Sequence, residues 1–254
     1  MLILDCEIKK AILGRGETPI PGIEYCQGWK DFEGMGISVV CTYDTESHLT
    51  RVFLEEDFAE LSDYIEGKPT AGFNTKRFDL PLLAQHGIVD ASGHVEQHYD
   101  ILEQIWVAQG FNPDKFNPET HGGWGLDAVC QATLGIAKTG HGALAPVWWQ
   151  QGRRGKVIDY CLNDVWMEGS LLNHIIQHGY VLAADKPRVH LSGWATRYTS
   201  DPIINELIEE PQVPKAAEEG PVGTRPAQFY PNLEQPEPQS APSERSPGGL
   251  GIIR

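Results

Sequence analysis

No unbroken apolar run in the sequence is long enough to span a bilayer, so a membrane-spanning helix is not expected. The opening Met1-Leu2-Ile3-Leu4 meets Asp5 too early for the apolar stretch of a secretory signal, and a cytoplasmic protein is the expectation. Paired cysteines are missing as well: Cys6, Cys26, Cys41, Cys130 and Cys161 are scattered, odd in number and without a C-x-x-C spacing. That excludes a disulfide framework and a cysteine-paired zinc site, and fits a reducing compartment. Positive charge is scarce, with 20 Lys and Arg against 35 Asp and Glu for a net charge of -15. A protein that coats nucleic acid nonspecifically needs many basic contacts to phosphate, so that class is excluded. An enzyme gripping a short single strand is compatible with this charge, above all where divalent metal covers some of the carboxylates.

Composition changes near Ile208. The stretch from Pro211 to Arg254 holds nine of the eighteen prolines, among Glu, Gln, Ser and Gly, and reads as a disordered tail over 209–254. Its ending, Gly248 to Arg254, is read as an untidy terminus or a short docking motif for a protein partner. Upstream, strand-like and helix-like segments alternate, which predicts one α/β domain over 1–208. Met1 to Ile8, Gly36 to Tyr43 and His48 to Leu54 read as an antiparallel meander, and Thr70 to Asn74 as a further strand. Leu54, Phe58, Leu61 and Ile65 recur at helical spacing up to Gly67. Asp79 stands where a helix N-cap is expected, with Pro81 in the first turn. Asp100 to Gln109, Leu126 to Leu134 and Val157 to about His178 complete the helices, each followed by glycine.

Several acids lie in apolar surroundings, where an ionised side chain needs a partner or a metal. Asp5 and Glu7 are two apart, so a strand turns both carboxylates to one face and Cys6 to the other. Tyr160 and Asp164 are four apart, so a helix stacks the phenol one turn from the carboxylate. Asp79 adds an acid from a third element. Four acids on converging elements make an all-oxygen shell, which suits Mg²⁺ or Mn²⁺ better than zinc.

At these residues the chain resembles the Asp-Glu-Asp-Asp 3′-5′ exonucleases of the ribonuclease-H-like fold, in the subgroup with tyrosine in the last motif. It is most similar to the proofreading exonuclease domain of family B DNA polymerases. The first motif, D-x-E on a strand, is matched by Asp5-Cys6-Glu7; the second, N-x-x-x-F-D before a Pro-containing helix, by Asn74 to Asp79; the third, Y-x-x-x-D on a helix, by Tyr160 to Asp164. Each short motif arises often by chance, but three in order on the right elements are specific. The match covers Met1 to about Leu172, and no polymerase module is expected in this chain. The sister subgroup places histidine five residues before its last aspartate; Asp159 stands there, which disfavours that variant.

The resemblance implies hydrolysis with two cations about 3.5 to 4 Å apart that stabilise the attacking and leaving oxygens. Asp5 would bridge the ions, Glu7 and Asp164 would complete the one that activates water, and Asp79 would hold the other. Tyr160 would position the nucleophile, and Asn74 and Phe78 would contact the terminal nucleotide. The expectation is therefore a ribonuclease-H-like mixed sheet flanked by helices that removes nucleotides from a free 3′ end. Single-stranded DNA rests on the polymerase resemblance, and RNA stays open. The rivals are a non-catalytic protein that binds nucleic-acid ends and recruits a partner through its tail, and an endonuclease of the same fold.

Other features have plainer readings. Lys138-Thr139-Gly140-His141-Gly142 lacks the glycine before the lysine that a phosphate loop requires, leaving at most a flexible basic loop near substrate. Arg153, Arg154 and Lys156 read as solvated charge or as contacts to backbone phosphates. His94 and His98 read as a surface pair, Trp148, Trp149 and Trp166 as core before base-stacking residues, and Asp100 as a helix cap or supporting acid.

Overall fold

The computed structural model describes residues 1–90 and 98–191; the tail expected over 209–254, and His94, lie outside them. The first strand, β1 (Leu2–Ile8), decides the architecture. Alternate side chains of a strand point to opposite faces, and here both faces are apolar. Leu2, Leu4, Cys6 and Ile8 enter one buried cluster while Ile3 enters another. A strand buried on both sides belongs in the middle of a sheet. Asp5 and Glu7 interrupt the Ile3 face of that strand and carry its only charges.

The expected meander forms from β1, β2 (Ile37–Asp44) and β3 (Thr50–Phe53) in antiparallel pairs. Asp5 lies opposite Cys41 and Glu7 opposite Val39, and the register shifts between Glu7 and Ile8. Such an irregularity bends a strand and re-aims its side chains, and here it falls beside an acid. After α1 (Phe58–Ile65) the chain returns as β4 (Thr70–Gly72), parallel to β1. It then passes through α2 (Asp79–Gln85) to β5 (His98–Asp100), parallel to β4. The sheet order is β3-β2-β1-β4-β5.

Leu61 and Ile65 of α1 and Leu80, Leu82 and Leu83 of α2 pack on the Leu2 face. The Ile3 face is covered by α3 (Ile101–Ala108), α4 (Leu126–Leu134), α5 (Ala145–Gln150) and the 25-residue α6 (Arg154–His178). A separate two-stranded ladder of β6 (Tyr180–Val181) and β7 (Val189–His190) follows. The protein is thus α/β, a five-stranded mixed sheet flanked by helices, each fully buried Leu or Ile contributing about 1.5–3 kcal/mol. Among the described residues no helix is long and apolar enough to cross a membrane.

Three local expectations are corrected. Asp79 does not cap its helix: it is the first helical residue, Phe78 holds the cap position, and the Asp79 carboxylate instead accepts the Cys6 amide at 2.9 Å. His98 is not a surface residue; it is buried in β5, bonded through Nδ1 to Thr70 Oγ1 at 2.7 Å and through Nε2 to Thr75 Oγ1. The long helix begins at Arg154, three residues before Val157, because its first turn is exposed and carries no apolar periodicity. Asp100 does cap α3, accepting from Glu103 N at 3.1 Å.

Gly72 ends β4 close against its neighbours. A Cβ there would lie 2.9 Å from the Leu4 carbonyl oxygen and would collide with Thr75 Cγ2. The carbonyl belongs to β1 and cannot move away without disturbing the sheet. Gly72→Ala should therefore lower stability to urea by about 1–3 kcal/mol. Gly155→Ala, in an open position on α6, should raise it by about 0.4–1 kcal/mol in the same experiment.

Candidate active site

The spacing of two on β1 and of four on α6 brings together what the sequence proposed. One carboxylate oxygen each of Asp5, Glu7 and Asp164 lies within 4.8 Å of the others. The helix is fixed over the strand by Cys161, whose thiol donates to the Asp5 carbonyl oxygen at 3.4 Å. Tyr160 stands one turn before Asp164 and is buried with its ring edge-on to Trp148 at 6.2 Å. Asp79 is adjacent but outside this triad, held by the Cys6 amide.

The triad is short of partners. Asp5 Oδ2 and Asp164 Oδ1 are buried without a hydrogen bond among the described residues. Burial pushes the Asp5 carboxyl well up from its ordinary value, and the charges of Asp79 and Asp164 push it further. Glu7 is raised well up by burial and then by Asp5 and Asp164. Asp79 is raised to about 7 by burial, against the pull of its bonds to Cys6. Several enclosed acids with open oxygens are a poor arrangement for a metal-free core and a fitting one for a hard divalent cation.

Two residues of the site escaped the sequence reading. Lys138, from the loop rejected as a phosphate cradle, places its ammonium on Asp164 Oδ2 and donates to Tyr160 Oη at 3.1 Å. Burial draws its pKa down, but Asp164 and Tyr160 hold it well above the ordinary lysine value. Tyr160 is raised as well, by burial and then by Asp164. The loop comes this close because glycines face the phenol: a Cβ at Gly142 would lie 3.3 Å from Tyr160 Oη, and one at Gly140 3.3 Å from the ring. The second residue is Glu168, a further turn along α6, 1 % exposed and with Oε2 unpartnered. The repeated spacing of four was its only signal, because an acid on a helix is ordinarily solvated.

Asn74 has a left-handed backbone, φ 64°, and its amide donates to Asp100 Oδ1 at 3.0 Å. The Lys76 amide donates to Asp100 Oδ2 at 3.0 Å, so one buried carboxylate shapes the whole turn after β4. Asn74, Lys76, Arg77 and Trp106 line a cavity of about 370 Å³ beside it. Phe78 packs edge-on against Trp29 and Phe32, with Trp29 itself exposed. At the start of α6, Lys156 Nζ lies 3.9 Å from the Trp148 ring centre and the Arg154 guanidinium 4.8 Å from that of Trp149. Trp148 is a core residue, as expected, while Trp149 and Trp166 are half-buried.

A raised acid adds stability that is complete below its unfolded pKa and is lost as pH rises through the folded one. Without divalent metal, Asp79 alone should cost stability between about pH 4 and about pH 7, and Asp5 and Glu7 act in the same direction. Thermal melts in EDTA should fall across that window, and Mg²⁺ or Mn²⁺ should remove most of the fall; a profile unchanged by metal would contradict a cation site. Neither a protein-family model nor a curated protein matches this chain, and its chemistry is read from the geometry of these residues.

Proposed function

We propose that the protein is a metal-dependent 3′-5′ exonuclease of ribonuclease-H-like fold acting on single-stranded DNA, with RNA as the competing substrate. The observation that carries this reading is the Asp5, Glu7 and Asp164 triad, with two orphaned oxygens, one helical turn from a buried tyrosine. The order of the three motifs along the chain supports it. So does the basic and aromatic rim of Arg153, Arg154, Lys156 and Trp149, unusual in a chain so acidic and suited to phosphates and base faces. No acid stands in the first turn of α6 to neutralise that rim.

In the proposed reaction a water oxygen bonds to the terminal phosphorus and the bond to the neighbouring 3′ oxygen breaks. Water gives up a proton, the departing oxygen gains one, and a nucleoside 5′-monophosphate leaves a shortened strand. Asp5, Glu7 and Asp164, with Asp79 beside them, would hold divalent cations, which supply charge neutralisation and a more acidic water. Tyr160 has its hydroxyl held from two sides, by Lys138 and by Asp164, and from that fixed position would orient the nucleophile. Lys138, engaged by Asp164 and Tyr160, adds a positive charge beside the same carboxylate that would attract a phosphate. Asn74, held by Asp100, and Phe78, held by Trp29 and Phe32, would meet the terminal nucleotide.

End-labelled single-stranded oligonucleotides should shorten stepwise from the 3′ end in Mg²⁺ or Mn²⁺ and stay intact in EDTA. Asp5→Ala and Asp164→Ala should abolish shortening with the fold intact, and Tyr160→Phe should slow it by about 10–100-fold. Full activity in a pure Asp164→Ala preparation would overturn the assignment. Cleavage of circular single strands would identify an endonuclease, and binding without cleavage a non-catalytic end-binding protein.

A further inference from the structure

We infer that Glu168 is a ligand to one of the two cations, on the Asp5 and Asp79 side of the cluster, away from Glu7. The inference rests on the metal-dependent reading above and adds a fifth acid to it. Glu168 continues a stripe on α6 that runs Lys156, Tyr160, Asp164, Glu168 at steps of four, so it lies one turn beyond Asp164. Its side chain reaches the seam between β1 and β4. A Cβ on Gly72 would stand 3.5 Å from Glu168 Oε2, in ordinary contact, so this carboxylate lies against the end of β4.

Nothing in the described protein satisfies that oxygen. Oε2 is buried without a hydrogen bond. The hydroxyl of Thr75, across Gly72, is committed to His98, and Thr75 turns its methyl group toward Gly72. The ammonium of Lys138 is taken by Asp164 and Tyr160. Charged and titratable groups facing Glu168 are Asp5 from β1, Asp79 from α2, Asp164 from α6, Lys138 from its loop and Cys130 from α4. A Cβ on Gly72 would lie close to both the Leu4 carbonyl oxygen and Glu168 Oε2, which sets the Glu168 carboxyl near Leu4, on the flank of Asp5 that Glu7 does not occupy.

Charge balance points the same way. Asp5, Glu7, Asp79, Asp164 and Glu168 are five carboxylates around a single ammonium, an excess of four negative charges when all are ionised. Two divalent cations carry that charge. Without Glu168 the same ions would leave the empty site positively charged in a low-dielectric interior, which is unfavourable.

Titration of the full-length protein with Mn²⁺, followed by calorimetry, tests this directly. The parent should take up two ions; Glu168→Gln should lose affinity for one of them by about 10–100-fold and keep the other. Glu7→Gln should weaken the opposite ion, and the two substitutions together should weaken both. Melts in EDTA report folding, and Glu168→Gln should melt no lower than the parent because it removes a repelled charge. If the amide variant does not fold, Glu168→Met, apolar and of similar length, carries the same titration. Two ions bound by the folded variant with parental affinity would overturn the role of Glu168 and leave the nuclease proposal standing. No Mn²⁺ bound by the parent would overturn the metal-dependent reading itself.

Discussion

Mutual repulsion among buried acids is the constraint around which this fold is arranged. Asp5, Glu7, Asp79, Asp164 and Glu168 come from β1, α2 and α6; the last four are buried and Asp5 is half-buried with one carboxylate oxygen enclosed. Lys138 is the one described cation that pairs with any of them. Such a group of charges would push β1 and α6 apart were they not tied by large apolar clusters on both faces of the sheet. The stability supplied by Leu, Ile and Val packing is what permits an electrostatically unfavourable centre.

The sheet sets where this centre opens. Of β1's two neighbours, β2 is antiparallel and β4 parallel, and the parallel strands β1, β4 and β5 end on the same edge. In open α/β sheets ligands gather at the carboxyl ends of parallel strands, where the chain leaves for different helices. Asp5 and Glu7 lie toward that end of β1, the Asn74 turn follows β4, and Asp100 closes β5. Asp100 then serves two elements at once, capping α3 and receiving the amides of Asn74 and Lys76. A single satisfied carboxylate thus shapes the turn beside the acids that are left unsatisfied.

How much of this was legible depended on distance along the chain. The central strand, the meander and the facing of Asp5 with Glu7 follow from a period of two, and the pairing of Tyr160 with Asp164 from a step of four. Local spacing reads well because geometry within one element does not depend on the rest of the fold. Lys138 did not read, since its meeting with Tyr160 spans 22 residues and needs a loop threaded past the phenol at glycines. His98 misled because a lone histidine gives no sign of the two threonines, one of them 28 residues distant, that receive it. Asp79 sat where a cap belongs, and only tertiary structure reveals that the Cys6 amide, 73 residues away, claims its carboxylate.

The stripe along α6 has a bearing on which sequences this fold accepts over time. Lys156, Tyr160, Asp164 and Glu168 share a face only while the number of residues between them stays fixed. Inserting or deleting one residue there would rotate everything beyond it by about 100°, whereas exchanging exposed neighbours such as Asp159 leaves the alignment untouched. Drift in this segment is therefore expected to proceed by substitution alone, and length changes to accumulate in the connecting turns.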